Sequence, residues 1–455
     1  MWRVIFFFLV IVDSLVLGQL CTNDTEYQCK CKQWTDGESH LPVDVVDCSG
    51  LKIDTFPNII EEYINYLSLS VNNIEVLDPK EQKLSSTDLN ILILSYNKIH
   101  SISDEFFLNV NNLRELDLSY NYITTLGDGN IFQNLNQLTR LDLSYNSIKT
   151  LPDTVFGTLV NIRYLNMSYN AIGNFLTSSK DVLTQKLGIS VNITHLSLNG
   201  LNITDLPSGY FDNFTNMKYL SLSDNAFTNI PAVPYSIEYL DISGNNITYI
   251  SARYLNYHSL KVLKLNRMPS LTNIHHYAFY NLFNLEELSI SDCPNVNNFS
   301  YLAFDVASKN TNLHPKYLSL ARNGLTTLNE SYKYFFNNMD KVDLRHNPWK
   351  CDCDILWLME FESILYQSHE IKCYAPDDIK YKSLIDLKEN DLVECHPEIY
   401  GKKSHRILIV ILVSTVIVLC GLIFYLMKYP QSWLGTNHVV GPNSPYNLAS
   451  TSEHI

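Results

Sequence analysis

A few residues in this chain have types and spacings that could do chemistry. Cys29-x-Cys31 offers two sulfurs at a spacing a metal ion can use. His275-His276 offers two imidazoles, but the side chains of adjacent residues point in different directions and seldom form a metal site. Asp117 and Asp142 look like a carboxylate pair, the arrangement that acid–base chemistry uses. Cys293 stands apart as a lone thiol that could react. A phosphate-cradling glycine loop, an HExxH helix and a nucleophile elbow are all missing from the sequence. No catalytic residue, metal or cofactor is expected, and the chain does not read as an enzyme.

The elements that must position these residues are set by one recurring phrase. Leu113 to Leu126 reads LRELDLSYNYITTL. Leu138, Leu141, Leu143, Asn146, Ile148 and Leu151 repeat it, as do Ile162, Leu165, Met167, Asn170 and Ile172. The spacing is roughly 24 residues. Alternation along a short strand puts Leu116 and Leu118 on one face and Asp117 on the other. One such strand cannot bury its leucines alone, so neighbouring coils must stack into a continuous core. The asparagine turns the chain, and its amide can satisfy backbone groups that the turn leaves unpaired. A phenylalanine recurs late in many coils (Phe107, Phe132, Phe156, Phe211, Phe279, Phe304) and is predicted to fill the convex side. The architecture expected is an α/β repeat solenoid, a curved horseshoe lined by a parallel concave sheet.

Composition narrows the function classes. A repeat array escapes the usual division of 455 residues into two or three domains, because each coil packs only on its neighbours. A formal net charge of −14 argues against a nucleic-acid partner, which would want a basic face. Ten cysteines in clustered pairs point to an oxidising compartment, which favours disulfides over metal at Cys29-x-Cys31.

In chain order, residues 1–18 have the form of a signal peptide: Arg3, then the apolar run Val4 to Val12, then Val16-x-Gly18. Residues 19–63 form an N-terminal cysteine cap with Cys21, Cys29, Cys31 and Cys48. The array covers 64–346 as about twelve copies, beginning near Ile64, Leu89, Leu113, Leu138, Ile162, Ile193, Met217, Ile237, Leu260, Leu285, Pro315 and Met339. The fifth coil is long, and its excess, Thr177 to Val191, is expected to leave the solenoid as a loop or short helix. The seventh is short, cut by Pro231 and Pro234, and the tenth is long again through Ser300 to Leu313. A C-terminal cysteine cap covers 347–397 and a juxtamembrane stretch 398–406. Residues 407–427 are an apolar run of the length a transmembrane helix needs, about 20 residues. A polar cytoplasmic tail covers 428–455. A signal peptide and a large translocated domain override the local charge bias and give a type I topology at the plasma membrane.

The last coil runs into Asn347-Pro-Trp-Lys-Cys-Asp-Cys, then Trp357-Leu358, Cys373 and Cys395. Together with the repeats, this resembles the extracellular leucine-rich-repeat family with cysteine flanking caps, the group holding Slit, Toll-type ectodomains and neuronal adhesion proteins. The resemblance covers residues 21 to 397. It implies pairing of Cys351 with Cys373 and Cys353 with Cys395, and by analogy Cys21 with Cys31 and Cys29 with Cys48. It also implies that Cys293, at the asparagine position of the phrase, is a core residue, and that Asp117 and Asp142 are the family's habitual solvated aspartates.

Partner recognition then falls to the concave face. Its early coils present Tyr66, Val71, Ile91, Ile93, Tyr96 and Tyr120, and Tyr145 and Tyr169 extend the tyrosines along one side. Exposed apolar patches mark binding sites. Charges at Lys261, Lys264 and Arg267 are expected to neutralise Glu286, Glu287 and Asp292 across neighbouring strands. Asn23, Asn166, Asn192, Asn202, Asn213, Asn246, Asn298 and Asn329 head N-glycosylation acceptor sequences. Asn166, between Leu165 and Met167, points out of the concave face, so a glycan there would confine a large partner to the N-terminal half. The function expected is cell-surface adhesion or receptor-type binding of an extracellular protein. A Toll-like or decoy receptor without its own signalling domain and an extracellular-matrix protein are the alternatives. Glu453-His454-Ile455 could add as a strand to a PDZ domain, against the plainer reading of an inert end.

Overall fold

A computed structural model describes residues 20, 28–35, 42–58, 64–80, 83–304, 315–388, 391 and 397–428. The expected signal peptide, Cys21, Asn23, Cys395 and the tail beyond Lys428 lie outside the described residues. The chain forms two units, Met1–Leu387 and Lys388–Ile455.

In the first unit a fourteen-stranded sheet holds every coil together. Its strands are β1 (Lys30–Thr35), β2 (Pro42–Asp47), β3 (Ile64–Ser68), β4 (Ile91–Ile93), β5 (Glu115–Asp117), β6 (Arg140–Asp142) and β7 (Tyr164–Asn166). They continue as β8 (His195–Ser197), β9 (Tyr219–Ser221), β10 (Tyr239–Asp241), β11 (Val262–Lys264), β12 (Glu287–Ser289), β13 (Tyr317–Ser319) and β14 (Lys341–Asp343). Only the β1–β2 hairpin is antiparallel; from β2 on, each strand pairs in parallel with the next. The register aligns the central residues Leu67, Leu92, Leu116 and Leu141 in one buried row. Phe107, Phe132, Phe156, Phe211, Phe279 and Phe304 are all buried, as the phrase predicts.

Two features explain why most array strands are only three residues long. The residue before the asparagine takes the left-handed conformation, at φ 58° in Val71, 56° in Tyr96, 53° in Tyr120, 54° in Tyr145 and 55° in Tyr169. That geometry is uncommon for bulky residues. It is held because each donates its backbone N–H to the next coil, as Tyr96 does to Ser119 at 3.1 Å and Tyr120 to Ser144 at 2.9 Å. The asparagine then locks the turn. The Asn121 amide donates to the carbonyls of Leu94 at 3.0 Å and Leu118 at 3.1 Å, and its oxygen accepts from Ile99 N–H at 3.0 Å. Asn97, Asn146 and Asn170 repeat the pattern, so each leucine carbonyl serves two successive asparagines.

The N-terminal cap is itself a coil. Gly50 takes the left-handed position at φ 73°, and Asn72 accepts from the N–H groups of Leu51 and Ile53 as later asparagines do. Cys29 is bonded to Cys48. Cys31 is disulfide-bonded as well. At the other end Cys351 is bonded to Cys373, and Cys353 is in a disulfide. Tyr366 donates to Val342 at 2.7 Å, covering the open edge of β14.

The excess of the fifth coil does not leave the solenoid. Helix α1 (Gly173–Leu176) precedes it, and the excess itself contains a short helical segment as expected, a π-helical turn over Val182–Lys186, but one packed on the coils. It stays on the solenoid because Val182, Leu183, Leu187 and Ile189 are buried, and Phe156 donates to Leu187 at 3.0 Å. A second four-residue helix, α2 (Lys333–Phe336), packs Phe336 against Trp357, with ring centroids 5.3 Å apart.

The second unit is described from helix α3 (Pro397–Lys428), 32 residues long. Among the described residues no helix is long and apolar enough to cross a membrane. The span expected over residues 407–427 is helical throughout but is not established by these residues.

Candidate partner-binding face

The face begins with the left-handed tyrosines. Coils in register lie about 4.8 Å apart, close to the separation at which rings stack. Tyr96, Tyr120, Tyr145 and Tyr169 form one pile, with centroids 4.1, 4.1 and 4.2 Å apart and planes within 18° of parallel. Tyr96 is 52% exposed and Tyr120 36%, and Val71 precedes them at 59%. Each ring braces the next, so this apolar surface carries little rotamer entropy to lose on binding.

The pile ends in a polar hook that sequence reasoning missed. Tyr169 donates its hydroxyl to Asp224 at 2.6 Å, and Arg267 donates to the same carboxylate at 2.9 Å. Burial and the Asp224 carboxylate raise the Tyr169 phenol well above its ordinary pKa. Burial alone would raise Asp224; its donors Tyr169 and Arg267 overcome that and hold the carboxyl below its usual range. Both reaches cross a whole coil, and glycine makes room. A Cβ at Gly200 would sit 2.3 Å from the Tyr169 ring, and one at Gly244 2.1 Å from Asp224 Oδ1.

The strands supply the rest of the face. Tyr66, Ile91, Glu115, Arg140, Tyr164 and His195 are cross-strand neighbours in one row, and Ser68, Ile93, Asp117, Asp142 and Asn166 in the next. The structure thus brings all six predicted partner residues to one region, with Ile91 and Ile93 half-buried rather than fully open. Asp117 and Asp142 are direct neighbours but make no acid–base pair with a base: Asp142 accepts from Ser144 and from Asn166, and Asp117 from Ser119.

A second aromatic row, also missed, lies further along. Arg140 stands 3.6 Å over the Tyr164 ring, followed by His195, then Tyr219 and Tyr239 stacked at 4.1 Å, with Lys264 5.7 Å from Tyr239. Burial and then the Arg140 charge hold the His195 imidazole below its ordinary pKa. The first strand residue of each copy was the available signal.

Charge pairing in the C-terminal half differs in detail from expectation. Lys264 meets Glu287 at 3.6 Å as predicted. Lys261 pairs with Glu238, Arg267 with Asp224, and Asp292 with Arg322. The partners lie on earlier or later coils.

Of the acceptor asparagines, Asn192, Asn202, Asn213, Asn246, Asn298 and Asn329 are exposed. Asn166 is half-buried on the concave face, its amide donating to Asp142 at 3.0 Å and its oxygen accepting from Ser168 N–H. Cys293 is buried and takes an asparagine's place: Asn323 accepts its N–H at 2.8 Å, and its thiol faces the carbonyls of Leu265 and Ser291. Burial pushes that thiol up to about 11. His275 and His276 line a shallow groove with Thr272 and Asn298. Among the described residues, no group of three or more His, Cys, Asp or Glu could hold a metal ion.

Comparison with known proteins agrees with this architecture. A leucine rich repeat model matches residues 87–131 and 128–172, and a BspA type leucine rich repeat region model matches 189–314 and 232–344. Human (Homo sapiens) lumican is 30% identical over 251 residues, covering 48% of this chain and 70% of that protein. Tsukushi from Gallus gallus is 25% identical, covering 66% and 73%, and podocan from Mus musculus is 28% identical, covering 51% and 39%. A solved octameric complex of Latrophilin 3, Unc5D and FLRT2 contains a chain 21% identical at a TM-score of 0.48, over 81% of this chain and 98% of that one. With its stacked coils, its asparagine ladder and these relatives, the chain belongs to the leucine-rich repeat family.

Proposed function

We propose that this chain is a single-pass cell-surface protein of type I topology that binds an extracellular protein partner on the N-terminal half of its concave face. The observation that carries the binding site is the braced, exposed stack of Tyr96, Tyr120 and Tyr145 beside Ile91 and Ile93. A rigid apolar patch of this kind can be desolvated without first being ordered. A glycan on Asn166 would bound the site on its far side. The anchor would be α3, a 32-residue helix whose described side chains from Ile409 to Leu419 are exposed and almost all apolar. Two expected results test the two parts. The full-length chain should stay in the pellet when cell membranes are washed at alkaline pH; release into the supernatant would remove the anchor. Proximity labelling around the full-length chain on cells should identify partners, and Ile91→Asp with Ile93→Asp should reduce their capture at least tenfold. Neither side chain belongs to the buried leucine row, so the double variant should fold and reach the surface. Unchanged capture by that folded variant would move the site elsewhere.

A further inference from the structure

The two halves of the concave face handle charge differently. In the C-terminal half most of the carboxylates have a cation at hand: Glu238 lies between Lys218 and Lys261, Glu287 meets Lys264, Asp343 meets Arg345, and Asp241, which makes no ion pair among the described residues, has Lys264 as its cross-strand neighbour. In the N-terminal half, Glu115, Asp117 and Asp142 lie on adjacent strands, and none makes an ion pair among the described residues. The nearest cation on the same strands, Arg140, is spread over the Tyr164 ring. Asp117 and Asp142 are direct cross-strand neighbours, an arrangement that like charges disfavour. They border an apolar surface made by Ile91, Ile93 and the open side of the tyrosine stack. A ligand for this face must therefore be apolar where it meets the isoleucines and cationic a few ångströms further on.

Resting on the binding face proposed above, we infer that its partner presents an arginine-bearing amphipathic segment. Apolar side chains of that segment cover Ile91 and Ile93, and a guanidinium enters between Asp117 and Asp142. Arginine suits the site better than lysine for three reasons. Its fork can reach two carboxylates at once, its plane can lie against phenol rings, and it is more weakly hydrated. The chain's own Arg140, 3.6 Å over Tyr164, shows that this surface accepts a guanidinium on a ring. The acidic balance of the whole molecule, −14, would speed the approach of such a partner.

The test uses the full-length chain in detergent micelles and a fluorescent peptide, Gly-Leu-Arg-Gly-Leu-Arg-Gly, with lysine and citrulline counterparts. The arginine peptide should bind at least fivefold more tightly than the lysine peptide, and the neutral citrulline peptide should not bind measurably. Asp117→Asn with Asp142→Asn should weaken arginine binding about tenfold, the equivalent of about 1.4 kcal/mol, in a chain that still unfolds cooperatively, although Asp142→Asn gives up the acceptor that now meets the Asn166 amide. Tyr96→Ala should weaken it too, and Tyr96→Phe should not. Equal binding of the arginine and lysine peptides, or wild-type binding by the double Asn variant, would overturn the inference. If the double Asn variant still captures cell-surface partners while Ile91→Asp with Ile93→Asp does not, the binding face stands and only its arginine chemistry falls.

Discussion

Asn121→Ala should be among the most damaging single substitutions in the array, lowering stability by about 3–5 kcal/mol. The figure follows from what the side chain satisfies. Ile99 N–H loses its acceptor, and the carbonyls of Leu94 and Leu118 each lose one of two asparagine donors. All of this lies in the interior, where Asn121 is 5% exposed and Leu94 and Leu118 are fully buried, so water cannot substitute. An unpaired buried donor costs roughly 1–3 kcal/mol, and each lost hydrogen bond to a carbonyl about 1 kcal/mol. Asn121→Asp should be worse still, because it turns a donor into an acceptor facing two carbonyls. The Asn121 side chain bonds only within its own coil and to the coil before it, so the damage should be local, with a urea transition that broadens or splits rather than shifting as a whole. A shift below about 1 kcal/mol in urea unfolding would show that the ladder is ornament rather than support.

The ladder is legible in the sequence because its elements recur. The spacing of Leu116, Leu118 and Asn121 dictates a strand, a turn and a bond to the next coil, and each copy repeats the message. All the expected starts from Ile64 to Met339 lie at or within a few residues of a sheet strand. The second aromatic row was also carried by a repeating position, the first strand residue of each copy, but the polar hook had no repeat to announce it. Tyr169 reaches Asp224 because residue 200 happens to be glycine in the coil between, a coincidence of two different copies. The cap was hard to recognise as a coil because Val46, Cys48 and Leu51 stand where the phrase has leucine, leucine and asparagine. The fifth coil's excess looked like an insertion because its buried residues follow neither strand nor helix periodicity; their burial depends on a surface that only the stacked coils provide. The candidate face was legible in its residues but not in its rigidity, since stacking is a property of neighbouring coils, not of any one.

Cys351→Ser should collapse the C-terminal end of the solenoid and, on the cell-surface role proposed above, keep the protein from the cell surface. The bond to Cys373 closes a stretch of 22 residues, and a loop of that order contributes about 3–4 kcal/mol by restricting the unfolded chain. Serine adds a further loss, because position 351 is 1% exposed and its hydroxyl would be buried. What the cap protects makes the effect larger than the bond alone. Trp357 covers Phe336 and donates its indole N–H to Leu328 at 3.1 Å, Trp349 is fully buried, and Tyr366 closes the edge of the last strand. With the cap loosened, β14 would present unpaired backbone groups, the feature that natural sheets most consistently cover. The expected result is a thermal midpoint several degrees lower in the purified chain, with most of the protein retained inside the cell. Cys351→Ala with Cys373→Ala separates the causes: it removes the bond without burying a hydroxyl or leaving a free thiol, and should recover part of the midpoint but not all of it. Wild-type midpoint and surface level in Cys351→Ser would mean that Trp349, Trp357 and Tyr366 hold the end closed without the disulfide.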